Sequence, residues 1–246
     1  MKRQELKALL GRVPGGSVFI QIARLLRKYW PIRRHATAAG VFSRIYERNR
    51  WGNSESSSGP GSTLRYSESI RREIPPLFER LGVQRVLDAP CGDFNWFRHI
   101  PRAGKFAYIG GDIVTALVER CRATYGGEDT EFIELDITTG PIPGADLWLC
   151  RDALFHFSFA DICRVIAVFL ESDVEYLLTS THPECRANGD IATGGFRLLN
   201  LELPPFCLGR AEVYIDDWIE GFPVRRLGLW RRSILRERFA RPYRSP

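Results

Sequence analysis

The sequence predicts an α/β fold: a doubly wound, mostly parallel sheet with an antiparallel C-terminal strand pair, preceded by N-terminal helices. Three observations predict it. From residue 83 onward, short apolar runs alternate with helical patterns, the mark of repeated β-α units. Those runs are nearly continuous in apolar residues, as strands covered on both faces must be. The last two runs, AEVYIDD and VRRLGLW, are joined by the short connector WIEGFP and read as an antiparallel pair.

The elements follow in order. Residues 18–30 set Val18, Ile22, Leu25, Leu26 and Tyr29 on one helical face, with Arg24, Arg27 and Lys28 elsewhere, and Pro31 stops that helix. A second helix uses Val41, Phe42, Ile45 and Tyr46 and ends near Trp51-Gly52. SESSSGPGS, residues 54–62, reads as a loop. A third helix spans 65–81 with Ile70, Ile74, Leu77, Phe78 and Leu81 in phase, and its Pro75-Pro76 pair predicts a kink or break. Strands VQRVLD, AYIGGD, EFIELD, DLWLCR and EYLLTST then alternate with helices at 93–100, 114–125 and 159–171, Asp93 serving as N-cap of the first. Residues 1–40 form a basic amphipathic extension, 41–232 the α/β domain and 233–246 an Arg-rich tail.

Composition narrows the class. A chain of 246 residues with 44% hydrophobic content is globular. No stretch approaches the ~20 uncharged apolar residues of a membrane span. The N-terminus lacks the apolar core and cleavage site of a signal peptide. The six cysteines form no C-x-x-C pair, so reduced thiols in a cytoplasmic protein are expected, with no metal site. Net charge is +6, but residues 1–50 carry +10, 51–224 carry −11 and 225–246 carry +7. The basic, amphipathic N-terminus has two readings: peripheral contact with an anionic membrane at the inner face, or packing against the domain.

In an open parallel sheet, ligands sit beyond the carboxyl ends of the strands. Three successive runs there end in Asp88, Asp112 and Asp136, and the fourth in Arg151-Asp152. Unpaired carboxylates at one sheet edge repel and are costly to desolvate, so packing does not explain them. An adenosyl ligand does. Gly92 lets the backbone approach it, and Asp112, twenty residues on, stands where an acid reaches both ribose hydroxyls. Asp136 is placed for the exocyclic amine of adenine, and Asp88 for the turn amides and an ammonium group. Pro90, which has no N–H to offer, and Asp93 make the turn unsuited to pyrophosphate, which argues against NAD.

These features resemble the successive motifs of class I S-adenosylmethionine-dependent methyltransferases. A closer resemblance is to a group of bacterial methyltransferases of poorly defined substrate. They share W-G-x-x-E-S-x-S-G-x-G-S, LDAPCGDFNW, DIV, CRDxLxHxS and D-I-x-T-G-x-x-R-x-L-N-L-x-x-x-P-F, here at 51–62, 87–96, 112–114, 150–158 and 190–206. The resemblance covers roughly 41–232 and implies a Rossmann-like methyltransferase domain. It implies S-adenosylmethionine as cofactor, held by Asp88, Gly92, Asp112, Ile113, Asp136, Ile137, Arg151 and Trp51. Pro90 and Phe94 stand where the general family pattern has Gly.

A sulfonium methyl is already activated, so the protein must mainly align the acceptor and exclude water. A hydroxyl acceptor also needs a base. Asp152 and His156, four apart and on one face if helical, are the candidates, Asp152 near the cofactor and His156 for acid–base work; His182 is a second histidine at the same edge. The long polar segment 188–206 offers Asp190, Arg197 and Asn200 to a polyhydroxylated acceptor. Trp51 either stacks on a ligand or packs on the domain, and 54–62 would close as a lid. A small-molecule or glycan acceptor is therefore expected. The alternatives are RNA, which the acidic middle of the chain disfavours, and a cofactor-binding membrane-associated scaffold without catalysis.

Overall fold

The computed structural model describes residues 37–102 and 104–240. The expected helix at 18–30 and residues 241–246 of the Arg-rich tail lie outside the described residues. Seven strands form one sheet in the order β3-β2-β1-β4-β5-β7-β6. They are β1 (Arg85–Asp88), β2 (Ala107–Asp112), β3 (Thr130–Glu134), β4 (Leu147–Cys150), β5 (Tyr176–Thr181), β6 (Val213–Asp216) and β7 (Arg226–Arg231). β1 to β5 pair in parallel, and β7 runs antiparallel to both β5 and β6. The fold is the doubly wound one that the alternation predicts, including the reversed C-terminal strand. Chain order reverses between β1 and β4, so the ligand crevice of such a sheet lies beyond Asp88 and Cys150.

Both faces of the sheet are covered. Leu87, Trp148, Cys150 and Leu177 point into one core with helix α4 (Phe159–Glu171). Val86, Leu147, Leu149 and Leu178 point into the other, with α2 (Glu68–Leu81) and α3 (Thr115–Tyr125). Neighbouring residues serve opposite cores, which is why the strands read as continuous apolar runs. Helix α1 (Ala38–Glu47) begins at the cap Thr37, whose hydroxyl accepts from Gly40 N. Helix α5 (Arg232–Ala240) buries Leu235 and Phe239 in the first core, beyond the boundary at 232 drawn from sequence. Among the described residues, no helix is long and apolar enough to cross a membrane.

Two local expectations need correction. α2 runs unbroken through Pro75-Pro76. The pair sits on its outer side, Pro75 half-buried and Pro76 exposed, while Ile74, Leu77 and Phe78 hold the inner side in the core. The missing N–H groups therefore cost little burial.

No α-helix covers 93–100; among the described residues, only a single 3-10 turn, Phe97–His99, lies between β1 and β2. Asp93 does not cap a helix, because its carboxylate is engaged by the serine loop described below. Phe94 takes φ 60°, a left-handed conformation that glycine adopts without strain. An aromatic cluster holds it there: the Phe94 ring lies 4.7 Å from Tyr108 and 5.2 Å from Phe132. Phe97 is 4.6 Å from Tyr108 on the same side. The ring packing outweighs the backbone cost. Phe94→Ala should accordingly lower stability by about 3–5 kcal/mol in denaturant unfolding; an unchanged midpoint would show that the ring cluster does not hold this turn.

Candidate functional site

A cavity of about 530 Å³ opens at the carboxyl ends of β1 to β5. Its lining includes every residue expected from sequence to hold the cofactor or to do acid–base work: Asp88, Gly92, Asp112, Ile113, Asp136 and Ile137 from the first three strand ends, Arg151, Asp152 and His156 after β4, and Trp51. The volume is in the usual range for small-molecule sites, roughly 300–1,000 Å³.

The three acids differ in what already occupies them. Asp112, buried, accepts from Gly92 N at 3.0 Å through Oδ2 and from Val114 N at 3.0 Å through Oδ1. Burial raises its pKa, and the Val114, Gly92 and Ile113 amides oppose that rise. Asp136 accepts from Thr138 N and Oγ1 with Oδ1, at 2.8 and 2.6 Å, so Oδ2 has no partner among the described residues. Asp88 does not hold the turn amides, contrary to expectation; Asp112 takes that task. Among the described residues, the one hydrogen bond to the Asp88 side chain comes from the Tyr108 hydroxyl at 2.8 Å. Burial pushes its pKa up to about 7, opposed by that hydrogen bond and by Arg151. A buried acid in this state is a ready partner for a cation.

The turn between them is braced from outside the sheet. Asp93 accepts from Ser56 Oγ, Ser57 N and Ser57 Oγ, and its own N–H donates to Ser58 Oγ at 2.8 Å. Gly92 has φ 58°, and a Cβ there would fall 2.3 Å from Ser58 Oγ. The glycine thus serves the docking of the serine loop as well as access to the cavity. The loop expected to act as a lid lies against the turn, with Ser57, Ser58 and Gly59 in the cavity wall.

Beyond β4 the structure gathers charges that sequence reasoning did not pair. Arg151 donates from Nε and Nη2 to the two oxygens of Asp217, at 3.0 and 2.8 Å, and from Nη2 to Gly61 O at 2.7 Å. Arg225 reaches Asp152 Oδ1 with Nη1 at 2.9 Å and lies 3.0 Å from Asp217 Oδ2 with Nη2. Three of the four are nearly inaccessible, and the Asp152 side chain is 23% exposed. The Arg151 guanidinium, expected to bind cofactor, is thus largely engaged with protein groups. Asp152 has φ 57° and is not helical, so it shares no helix face with His156. Burial would raise its pKa, but Arg225, Arg151 and His156 together hold it below the ordinary carboxylate value. A Cβ on Gly61 would fall 2.1 Å from Asp152 Oδ2, so the chain passes this carboxylate with nothing to spare. Asp217 and Arg225 had a signal in the sequence: Asp216-Asp217 closes one strand of the C-terminal pair and Arg225-Arg226 opens the other.

His156 sits in a 3-10 turn, Leu154–His156, its ring stacked on Trp51 at 4.6 Å and 30°. Trp51 also meets Phe42 at 5.7 Å, so the indole packs on α1 and on the histidine together. His156 Nδ1 is 2.7 Å from Gly195 O. A carbonyl only accepts, so Nδ1 carries the proton and Nε2 keeps its lone pair. Burial lowers the His156 pKa, against the opposing charge of Asp152. The imidazole is neutral at pH 7.

The 188–206 segment does not present the polar groups expected of it. Asp190 accepts from Phe159 N and Ile191 N, Arg197 donates to Leu154 O and Phe157 O, and Asn200 bonds Cys185 O and Glu202 N. These side chains replace secondary structure for a long loop and its neighbours. What the segment gives the cavity is Phe196, 58% exposed.

No protein-family model matches the sequence, and no curated protein is similar to it. Solved structures are similar in fold. Human N-acetylserotonin methyltransferase in complex with SAM (S-adenosylmethionine) superposes with a TM-score of 0.53 at 13% identity, over 90% of this chain and 68% of that one. Magnesium protoporphyrin IX methyltransferase from Synechocystis PCC 6803, with bound SAM, gives 0.52 at 14% identity, over 80% and 98%. The [4+2]-cyclase SpnF gives 0.54 at 19% identity, over 74% and 76%. The chain has the fold of class I SAM-dependent methyltransferases, and the cyclase shows that the fold alone does not fix a reaction.

Removing one member of the buried quartet strands the others. Asp217→Ala leaves Arg151 and Arg225 with one carboxylate between them, and should cost about 3–5 kcal/mol in urea unfolding. A loss under about 1 kcal/mol would mean that water reaches this cluster.

Proposed function

We propose that the chain transfers a methyl group from S-adenosylmethionine to a hydroxyl of a small, largely apolar molecule. The observation that carries this reading is one cavity lined both by three strand-end acids and by a neutral histidine with a free Nε2. The acids fit the cofactor. Asp88 lacks a cationic partner in contact and suits the ammonium group; Asp112 retains lone pairs for the ribose hydroxyls; Asp136 Oδ2 is available to the adenine amine. Ile113 and Ile137 supply apolar surface for the base, and Gly92 keeps the wall low. When bound, the cofactor supplies a methyl group on positively charged sulfur.

His156 Nε2 would take the acceptor's hydroxyl proton as the oxygen gains the methyl carbon, the electron pair of the broken carbon–sulfur bond staying with the departing sulfur. The Gly195 carbonyl holds the imidazole in the required tautomer, and the negative charge of Asp152 favours the imidazolium that forms. Walls from Phe42, Trp51, Phe155, Phe157 and Phe196 exclude water and favour an apolar body. A glycan finds less here, since Asp190, Arg197 and Asn200 serve the backbone. Asp88, Asp112, Asp136 and Asp152 together disfavour a polyanion such as RNA.

Two measurements test this. In calorimetry, S-adenosylhomocysteine should bind and, at pH 6, release a proton. Asp88, with a pKa of about 7, is mostly protonated there and ionises beside the ligand's ammonium group. The release should fade above pH 7, where the group is already charged, and be lost in Asp88→Asn; no buffer dependence at pH 6 would remove Asp88 from the site. In the second, labelled methyl transfer into small-molecule fractions should fall about 10²–10⁴-fold in His156→Ala while S-adenosylhomocysteine still binds. Because burial lowers the His156 pKa, the acid limb of the wild-type pH profile should lie below 6.5 at saturating S-adenosylmethionine, where Asp88 is already ionised. Label that enters RNA or no acceptor at all would sink the proposal.

A further inference from the structure

His182 lines the same cavity, and the mechanism above leaves it without a task. It follows β5 and is 3% exposed. Its own N–H donates to Leu199 O at 2.7 Å, and Leu199 N donates to its Nδ1 at 3.2 Å. Nδ1 also lies 3.3 Å from Leu199 O, so both tautomers have a partner at first sight. Satisfaction of the backbone decides between them. Leu199 is fully buried, its N–H has no other acceptor among the described residues, and its carbonyl already has a donor. Nδ1 must accept, and the proton sits on Nε2. Burial pushes the His182 pKa down to about 4, which keeps the ring neutral.

The two histidines of the cavity therefore have opposite tautomers. His156 offers a lone pair at Nε2 and His182 offers an N–H at Nε2. Both rings line the one cavity and pack on Phe155, with centroids 4.6 and 5.1 Å from its own. Phe155, Trp51 and Phe196 surround His156 with ring faces and edges, a setting for a flat molecule.

We propose that His182 selects the acceptor: a planar, mostly apolar molecule that carries a second oxygen beside the reacting hydroxyl, as a catechol does. This rests on the methyl-transfer reading above. The reacting hydroxyl donates its proton to His156 Nε2, and the neighbouring oxygen accepts from His182 Nε2–H. A ring lacking that oxygen leaves the His182 donor unpaired in a dry site, which is how a polar group discriminates more strongly than a missing methyl would. His182 thereby fixes which of two hydroxyls faces the base. It is a positioning residue; it takes no proton.

The test compares catechol with 2-methylphenol, which differ by a hydroxyl in place of a methyl group, on protein saturated with S-adenosylhomocysteine. Wild type should bind catechol about 5- to 150-fold more tightly, the span of leaving one buried donor unpaired. His182→Asn keeps an acceptor for Leu199 N and lacks the outer donor, so the preference should vanish. His182→Gln restores a donor at the outer position and should recover most of it. A preference that survives in His182→Asn, or one absent from wild type, overturns the proposal. Side-chain ¹⁵N spectra of the unliganded wild type provide a second check that needs no variant to fold. His182 should show Nε2 protonated and His156 Nδ1 protonated, and the reverse at His182 ends the argument. Failure of S-adenosylhomocysteine to bind would instead count against methyl transfer itself, while the tautomers could still be read.

Discussion

The site depends on one buried cluster of four charges. Arg151 and Arg225 face Asp152 and Asp217, and the sum is neutral. Such a cluster adds little net stability, since desolvation offsets most of its Coulombic attraction. Its importance lies in geometry. Arg151 follows β4, Asp217 follows β6 and Arg225 precedes β7, so the charges can pair only when the antiparallel strands are seated in register beside β5. Arg151 also donates to Gly61 O, which ties the serine loop to the same point. A misplaced hairpin or loop would leave at least one ion buried without a partner, at a cost of several kcal/mol.

Around that cluster the two halves of the cavity are built in different ways. The acidic half is a property of the sheet. Asp88, Asp112 and Asp136 stand where parallel strands finish, and backbone amides, one threonine and one tyrosine take up part of their capacity. What they keep is costly to leave unpaired, and a cationic, hydroxyl-bearing ligand would offset that cost. The aromatic half comes from segments outside the parallel sheet: α1 with Phe42, the entry to the serine loop with Trp51, the turn after β4 with Phe155 to Phe157, and the long loop with Phe196. The parallel sheet thus supplies the acids of the cavity, and the appended segments supply its rings.

The serine loop connects the two halves. Ser56, Ser57 and Ser58 all converge on Asp93, one residue past the glycine of the turn. The first connection of the sheet has given up its helix for this contact. Aromatic packing around Phe94 supplies the stability that a helix would have given. The position of the serine loop and the shape of the glycine turn are tied together by the same carboxylate.

The sequence by itself determined the sheet, its reversed last strand and the acids at the strand ends, because these follow from periodicities of two and 3.6 residues and from the position of a residue along its own strand. It also marked His156. It predicted a helix at 93–100 that does not form, because a local helix signal cannot register that Asp93 would be claimed by serines more than thirty residues earlier. Asp190, Arg197 and Asn200 looked like ligand groups, since polar side chains in a loop carry no sign of which carbonyl or amide they will meet. The tertiary structure alone decided that Arg151 pairs with Asp217, that Trp51 covers His156, and that His156 and His182 take opposite tautomers. Each of those depends on a partner brought near only by the crossing of distant segments, and a hydrogen bond or ion pair is specified by distance and direction in space, which no local pattern of residues contains.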